Sequence, residues 1–420
     1  MPTSSTTESS PEASPMFKDF ALTSEGHGPG LIDFNDKIQN SDKAFLQHLN
    51  RVSKDVGAAP ATRPTTGPYA EHVEHRDLER PPTQSTAFTN SSRSLEHATT
   101  LSSIRKTIGL SAEAPILEGH EVHSHLAWSS VRVIMREPFA EFFGTFIMIL
   151  FGDGSVAQVL LSGSGFGNYQ SINWAWGLGV MLGIYVAGDS GAFLNPAVML
   201  GFCVYRKFPW RRFPIYFVAQ VLGAFCASGV VYANYISAID KMEGHGIRTV
   251  PPSPNATAGI FCTYPQPFLT KASQFFSEFI ASSILMFVIF ALKDDSNPGA
   301  MGKSGAGELF PLALLFLIFG LGACFGWETG YAINLARDFG PRLMSYAVGY
   351  GSEVWSAGGY YFWVPMVAPF GGCLFGGFLY DFFIYTGPES PINSPWLGFK
   401  YLLNGGYWKT KKEGFEAGEV

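Results

Sequence analysis

Six apolar segments, each long enough to cross a membrane, constrain the fold of this chain more than any other feature. A membrane-spanning helix needs roughly 20 predominantly apolar residues. The segments that meet this requirement are 138–161, 172–188, 212–236, 272–292, 309–327 and 360–385. Because lipid offers the backbone no hydrogen-bond partners, such segments are helical unless they close a barrel. The sequence therefore predicts an all-α membrane protein with six transmembrane helices.

Two further apolar segments, 195–204 and 334–346, are too short to cross. They begin with the related tripeptides Asn195-Pro196-Ala197 and Asn334-Leu335-Ala336. A short helix at membrane depth is tolerated only where protein or an aqueous cavity surrounds it. We therefore predict two half-helices beside the six spans.

The two halves of the apolar region are an internal duplication. Glu141 precedes Asn195 by 54 residues, and Glu278 precedes Asn334 by 56 residues. Each half contributes three spans, so the second half enters the membrane from the opposite side. This arrangement is an inverted repeat, and its functional site is expected at the membrane midplane.

The half-helices would meet at that midplane through their N-termini. Each N-terminus carries unsatisfied N–H groups and about half a positive charge, which opposes the passage of cations. Asn195 and Asn334 stand at these ends, where Asn is a favoured cap and its amide can also donate to a passing oxygen. The pattern therefore favours a pore over an enzyme.

The chain divides into three predicted parts. Residues 1–130 are rich in Ser, Thr and Pro and predict a disordered tail, residues 131–386 form the channel, and residues 387–420 form a C-terminal tail. Basic residues crowd the connections before the first span, after the first half-helix and after the sixth span. By the positive-inside rule, both termini are cytoplasmic.

The residue inventory argues against other classes of function. A net charge of −6 lacks the basic footprint of a nucleic-acid-binding protein. Eight of the nine histidines precede residue 130, and the five cysteines show no metal-ligand spacing. Glu141 and Glu278 lie in separate repeats without a nucleophile or metal partner. We expect no catalytic residue, no metal and no cofactor.

The two motifs resemble the major intrinsic protein family of water and glycerol channels, over about residues 136–386. The segments that carry the resemblance read SGAFLNPAV at 190–198 and GYAINLARDFGPR at 330–342. Other segments, around Trp176 and Cys262, are similar to the glycerol-facilitator branch, and the long N-terminal extension is similar to fungal members. The resemblance implies a homotetramer with one pore per subunit.

Alignment to this family implies a selectivity filter of Trp176, Gly322, Tyr331 and Arg337. Gly322 lacks a side chain and is expected to widen the gap, Trp176 and Tyr331 would contact the carbon backbone of a polyol, and Arg337 would donate to its hydroxyls. Asp338 resembles the acidic residue of the glycerol branch. We expect Glu141 and Glu278 to be structural, accepting hydrogen bonds from the backbone of the inserted loops.

Two residues depart from the family pattern. Leu335 replaces the usual Pro of the second motif, which adds a branched side chain near the midplane and could shift Asn334. Phe193 replaces the His common two residues before Asn195, so proton-linked behaviour that depends on this His is not expected. These changes bear on the rate and on the ratio of water to polyol.

The sequence favours a passive channel for glycerol and small polyols, with some water flux, in the plasma membrane. A water-selective channel is an alternative, against which Gly322 argues. A poorly conducting osmosensor is another, suggested by the Ser/Thr-rich tail, where each phosphorylation would add about −1.5 to −2 charge. Two further hypotheses concern the tail: that it gates the pore, and that a kinase or other regulator acts on it.

Overall fold

The computed structural model describes residues 100–110, 127–297 and 309–398. The regular secondary structure of these three ranges is all helical. In chain order the helices are α1 (Ala127–Ile134), α2 (Arg136–Leu161), α3 (Tyr169–Val186), α4 (Pro196–Tyr205), α5 (Phe213–Glu243), α6 (Lys271–Leu292), α7 (Phe310–Thr329), α8 (Leu335–Ser345), α9 (Glu353–Tyr360) and α10 (Trp363–Phe383).

Each of the six predicted spans overlaps one long helix, so the predicted all-α fold is confirmed. Five of these helices, all except α3, are long and apolar enough to cross a membrane. Helix α3 has 18 residues and is therefore about 27 Å long, close to the roughly 30 Å of a hydrocarbon core. It begins three residues before the predicted start because Asn168 caps it, accepting hydrogen bonds from the backbone N–H groups of Gln170 and Ser171.

The two predicted half-helices are α4 and α8, with 10 and 11 residues. At about 1.5 Å per residue each reaches only about halfway through a membrane. Half-helix α4 packs against α5 and α10, and half-helix α8 packs against α5 and α10 as well. The half-helix of each repeat therefore contacts long helices of both repeats.

The repeat is visible in how the long helices pack. Helix α2 lies against α3 and α5, and its counterpart α6 lies against α7 and α10. At matching positions, a Cβ added to Gly223 would lie 2.2 Å from the carbonyl oxygen of Phe142, and one added to Gly372 would lie 2.3 Å from that of Phe279. Both contacts leave room only for glycine. The two carbonyl oxygens belong to the residues that directly follow Glu141 and Glu278, the glutamates at matching positions of the two repeats.

Helix α5 extends to Glu243, seven residues beyond the predicted end of its span. The additional turns are held by an apolar cluster in which Ile239, Val250 and Phe261 are almost completely buried. Residues 250 and 261 belong to the long connection between the two repeats, which folds back over this end of the channel. The extra length of α5 is therefore a docking surface for that connection.

Residues 100–107, which the sequence analysis placed in a disordered tail, are helical. Arg105 is 1% exposed; its guanidinium pairs with Glu137 at 2.6 Å and donates to the carbonyl oxygen of Ile134 at 3.1 Å. Leu110 is buried against Met199 and Tyr216. This segment therefore packs on the end of the channel where α2 begins. Residues 127–130, also placed in that tail, are helical within α1. Residues 1–99 and 111–126 lie outside the described residues, and for them the prediction stays a prediction.

Candidate pore and selectivity filter

The two loops that lead into the half-helices have the same backbone conformation. Gly191 and Gly330 have φ of 100° and 82°, and they are followed by left-handed residues at Ala192 and Tyr331 and again at Leu194 and Ile333 (the last two at 52° and 44°). A non-glycine residue in this region costs about 1–3 kcal/mol, and such strain persists only when the surroundings impose it. Both loops line one cavity, so the imposed conformation belongs to the pore wall.

Glu141 imposes that conformation on the first loop. Its carboxylate is fully buried and accepts hydrogen bonds from the backbone N–H groups of Phe193 and Leu194, both at 2.9 Å. The side chains of Ser190 and Gln220 donate to it as well, at 2.5 and 2.7 Å. Four donors thus converge on one carboxylate, which fixes the loop to α2 and α5.

Glu278 does the same in the second repeat. It accepts from the backbone N–H groups of Ala332 and Ile333, at 2.9 and 2.7 Å, and from the hydroxyl of Thr329 at 2.7 Å. The hydroxyl of Tyr361 approaches the same oxygen at 3.4 Å. The charge of each glutamate is thereby used in holding a loop, and neither residue lines the pore cavity.

The two half-helices are joined at their N-termini by their asparagines. Asn195 caps α4 by accepting from the N–H of Ala197, and Asn334 caps α8 by accepting from that of Ala336, both at 2.9 Å. Each amide also donates across the repeat boundary: Asn195 Nδ2 to the carbonyl of Ile333 at 2.9 Å, and Asn334 Nδ2 to that of Leu194 at 2.8 Å. The two motifs are therefore one interlocked unit.

Leu335 does not disturb this unit. Asn334 has φ −154° and ψ 116°, within a few degrees of the −150° and 115° of Asn195, which precedes the usual proline. The Leu335 side chain is buried against Val221 and neighbouring apolar residues of α5, α8 and α10, and it is not among the residues that line the cavity. The departure from the family motif is thus absorbed by packing.

Two cavities lie along the pore. One, of about 530 Å³, is lined by the connection between the repeats, by residues of α2 and α3, and by the start of the second loop. The other, of about 70 Å³, is lined by both loops and both asparagines. The residues common to the two linings are Trp176, Tyr331 and Arg337. Three of the four predicted filter residues therefore separate a wide cavity from a narrow one.

The narrow cavity has two unlike walls. Polar groups come from the loops and half-helix N-termini, at Asn195, Asn334 and Arg337. The remaining wall is apolar apart from Lys293, and it includes Met148, Val180, Ile184, Leu285, Ile289, Leu314 and Ile318. Since one water needs about 10–15 Å³ of such volume, the cavity has room for roughly five to seven waters. It can hold a narrow column of molecules with one hydrogen-bonding side.

At the constriction, Arg337 lies over the ring of Trp176, with its guanidinium carbon 4.2 Å from the ring centroid. The hydroxyl of Tyr331 donates to Asn173 Oδ1 at 3.2 Å. Asn173 is buried in α3 and was missed by the sequence analysis, although a polar residue inside an apolar span is itself a signal of function.

Gly322 occupies a different place from the one expected. A Cβ at this position would lie 2.4 Å from Asn173 Oδ1 and 2.7 Å from Cζ of Tyr331, and Gly322 is not among the residues that line either cavity. The missing side chain makes room for Tyr331 rather than for a permeant. That the absence of a side chain at Gly322 widens the pore stays a prediction.

Asp338 also lies outside both cavity linings. It is fully buried and accepts from Arg342 Nε at 2.7 Å and from the N–H and hydroxyl of Thr263 at 2.8 and 2.6 Å. Arg342 in turn donates to the carbonyls of Thr263 and Val354, at 2.7 and 2.6 Å. This network fastens two connections to half-helix α8.

A comparison with known families agrees with this architecture. The family model described as major intrinsic protein matches residues 127–380, which is more than half of the chain. The chain belongs to the major intrinsic protein family. The match covers both half-helices and all six long helices except the last three residues of α10. The resemblance seen in the two motifs is therefore confirmed, and this family member is an integral membrane protein.

Individual members of the family are similar over the same region. Aquaglyceroporin-9 of Botryotinia fuckeliana is 69% identical over 287 residues, which are 68% of this chain and 62% of that protein. Probable aquaglyceroporin-2 of Gibberella zeae is 68% identical over 279 residues, which are 66% of this chain and 81% of that protein. The chain thus aligns with less than two thirds of the length of the first relative.

A solved member of the family has the same fold. The crystal structure of the aquaglyceroporin from Plasmodium falciparum superposes with a TM-score of 0.52 at 32% sequence identity, covering 60% of this chain and 96% of that one. Nearly the whole of that channel therefore has a counterpart here, whereas two fifths of this chain lie outside the shared fold.

Proposed function

We propose that this protein is a passive channel for glycerol and other small polyols, with some permeability to water. The observation that carries the proposal is the constriction, because Trp176, Tyr331 and Arg337 line both cavities and a permeant must pass between them. The names of the relatives, which are aquaglyceroporins, support the same substrate class.

The unlike walls of the narrow cavity suit a polyol. Arg337 offers a rigid set of N–H donors to two hydroxyls at once, while the rings of Trp176 and Tyr331 face the CH edge. Beyond the constriction the apolar wall continues opposite both asparagines. A polyol exchanges its hydration for contacts on both edges, whereas a cation meets the charge of Arg337 and two positive helix ends.

The proposal is tested by reconstituting the full chain in liposomes and following their swelling in an inward glycerol gradient. Glycerol entry at the rate of empty liposomes, in a preparation that conducts water, would establish a water-selective channel instead. Entry of neither solute above the rate of empty liposomes would favour the poorly conducting osmosensor. Entry of glycerol well above the rate of empty liposomes supports the proposal.

We further propose that the N-terminal tail regulates the pore. Leu110 packs in the same apolar cluster as Phe193, and Phe193 lines the narrow cavity. A change in the docking of residues 100–110 would therefore reach the pore wall through one layer of side chains. A kinase or other regulator acting on the Ser- and Thr-rich residues before this segment is the expected input.

The proposal extends to the assembly and location of the channel, which the family and the charge pattern support. We propose a homotetramer in the plasma membrane, surrounded by lipid, with both termini in the cytoplasm. The described basic residues that support this orientation lie around Arg136 and in 206–212, at the end of the channel that carries residues 100–110.

A further inference from the structure

A lysine with no assigned role lines the narrow cavity. Along α6 the lining residues are Leu285, Ile289 and Lys293, which are spaced four apart and so form one stripe that faces the pore. Lys293 ends this stripe and is the first residue after α6. Among the described residues that line this cavity, only Lys293 and Arg337 carry a charge.

Helix α7 shows that Lys293 lies at the far end of the cavity from the filter. Phe310 begins α7, and Gly322, twelve positions further along this helix, packs against Tyr331 of the filter. Twelve residues of helix correspond to about 18 Å along its axis. The Lys293 ammonium lies 4.2 Å from the centroid of the Phe310 ring. The two charged groups of the narrow cavity are therefore at its opposite ends.

Aromatic rings surround the Lys293 ammonium. Besides Phe310, the ring of Phe202 in half-helix α4 lies 5.9 Å from it, and both rings line the cavity. Phe193 extends this aromatic wall, with its ring centroid 5.3 Å from that of Phe202. The filter shows the same pairing of a cation with an aromatic ring, also at 4.2 Å. Each end of the narrow cavity thus combines N–H donors with an apolar ring face.

The donors of Lys293 are not used by the channel itself. Its ammonium makes no hydrogen bond or ion pair with the described residues. Of the carboxylates at this end of the channel, Asp294 accepts from the Tyr380 hydroxyl at 2.7 Å. Asp381 pairs with Arg206, also at 2.7 Å. The Lys293 side chain is exposed, yet the surrounding rings desolvate it enough to lower its pKa. A hydroxyl oxygen that reaches this position would therefore find unused donors.

We propose that Lys293, Phe202 and Phe310 form a second polyol-selective constriction, called here the lysine site, at the end of the narrow cavity away from the filter. There the ammonium donates to a hydroxyl and the rings contact the CH edge of the permeant. This proposal rests on the proposed polyol transport and deepens it. A polyol meets the same two kinds of contact at both ends of the cavity, and a cation meets a positive charge at both.

The test is Lys293→Met, which removes the charge and the donors and keeps the length of the side chain. Glycerol and water permeabilities are measured on the same proteoliposomes, and their ratio is independent of the number of folded channels. We expect the ratio of glycerol to water permeability to fall by about threefold or more, because a hydrogen bond from a charged donor is lost. The fold should be retained, since Lys293 is exposed and has no hydrogen bond or ion pair to the described residues.

Two further variants separate the lysine site from a general effect of charge or length. Lys207 is exposed at the same end of the channel, directly after Arg206, whose guanidinium lies over the ring of Phe290 near the end of α6. It does not belong to the described lining of either cavity. Lys207→Met therefore removes a positive charge outside the pore and should leave the ratio unchanged. Lys293→Arg keeps the charge and the donors, so its ratio should stay closer to that of the wild type than the ratio of Lys293→Met.

Three results would overturn the lysine site in a channel that conducts glycerol. They are an unchanged or raised ratio in Lys293→Met, an equal fall in Lys207→Met, and a ratio in Lys293→Arg as low as in Lys293→Met. A raised ratio would show that the lysine obstructs glycerol instead of binding it. A wild-type channel that conducts water but no glycerol would refute the proposed function, and the lysine site as a polyol site with it.

Discussion

Gly322 offers the sharpest test of how the filter is built. In Gly322→Ala, the added methyl would lie 2.7 Å from Cζ of Tyr331 and 2.4 Å from Asn173 Oδ1. Carbon atoms prefer separations of about 3.5–4.0 Å, so the Tyr331 ring must move by about 1 Å. Since Tyr331 fills the space between Gly322 and the constriction, the ring moves toward the pore.

The energetic cost follows from the same contacts. Overpacking costs about 1–3 kcal/mol, and loss of the hydrogen bond from Tyr331 to Asn173 costs about 0.5–1.5 kcal/mol. The helix propensity of alanine returns about 1 kcal/mol. We therefore expect a net loss of stability of about 0.5–3.5 kcal/mol.

Because the displaced ring narrows the constriction, glycerol permeability should fall by about tenfold, which corresponds to about 1.4 kcal/mol of added barrier. Water permeability should fall less. Stopped-flow light scattering of proteoliposomes, normalised to the amount of reconstituted protein, measures both rates.

Gly320→Ala is the matched control, because a Cβ at Gly320 in the same helix meets nothing within 4 Å. It should conduct like the wild type. The double variant Gly322→Ala/Tyr331→Ala removes the displaced ring and should restore glycerol flux. If Gly322→Ala conducted glycerol as well as Gly320→Ala does, the inference that Gly322 exists to seat Tyr331 would be wrong.

Three further predictions concern the loops and the tail. Glu278→Gln places amide hydrogens against the N–H groups of Ala332 or Ile333, so it should destabilise the fold by about 2–4 kcal/mol, visible as a lower melting temperature in detergent; an unchanged melting temperature would contradict the anchoring role. Leu335→Pro should leave glycerol flux within about twofold of wild type, since proline is favoured at a first helical position and the side chain points away from the cavity. A larger change in the flux assay would show that Leu335 tunes the pore. Arg105→Ala leaves Glu137 buried without its cation, at a cost of about 3–5 kcal/mol. Residues 100–110 should therefore become sensitive to limited proteolysis, and glycerol flux should change. Increased cleavage with unchanged flux would show that the segment is an anchor and not a regulator.

The sequence was sufficient for the fold because the controlling signals are local. Span length, apolar composition and the repeated Asn motif each act within a short window, and both half-helices begin where the motifs place them. The glutamates could be assigned to loop support because a buried carboxylate beside inserted backbone has few other uses. The largest difference in helix limits, at the end of α5, arose from a tertiary contact around Ile239, and the early start of α3 arose from the cap at Asn168.

The parts that sequence reasoning missed depend on contacts between distant segments. A glycine in a span does not reveal whether its empty space belongs to a permeant or to another side chain; at Gly322 the answer lies nine residues away, at Tyr331. Whether Leu335 shifts Asn334 depends on its packing partners in α5 and α10, which lie far away in the sequence. The docking of residues 100–110 rests on Glu137, 32 residues away from Arg105.

The exchanged hydrogen bonds at the midplane also bear on how the chain is made. The amide of Asn195 finds its acceptor at Ile333, 138 residues later, and the acceptor for Asn334 lies 140 residues before it. While a ribosome is still synthesising the second repeat, the first already holds a capped half-helix with an unmatched polar tip at membrane depth. The pore can therefore be completed only after residue 333 has been made, and a chain arrested before it leaves the Asn195 amide without this acceptor.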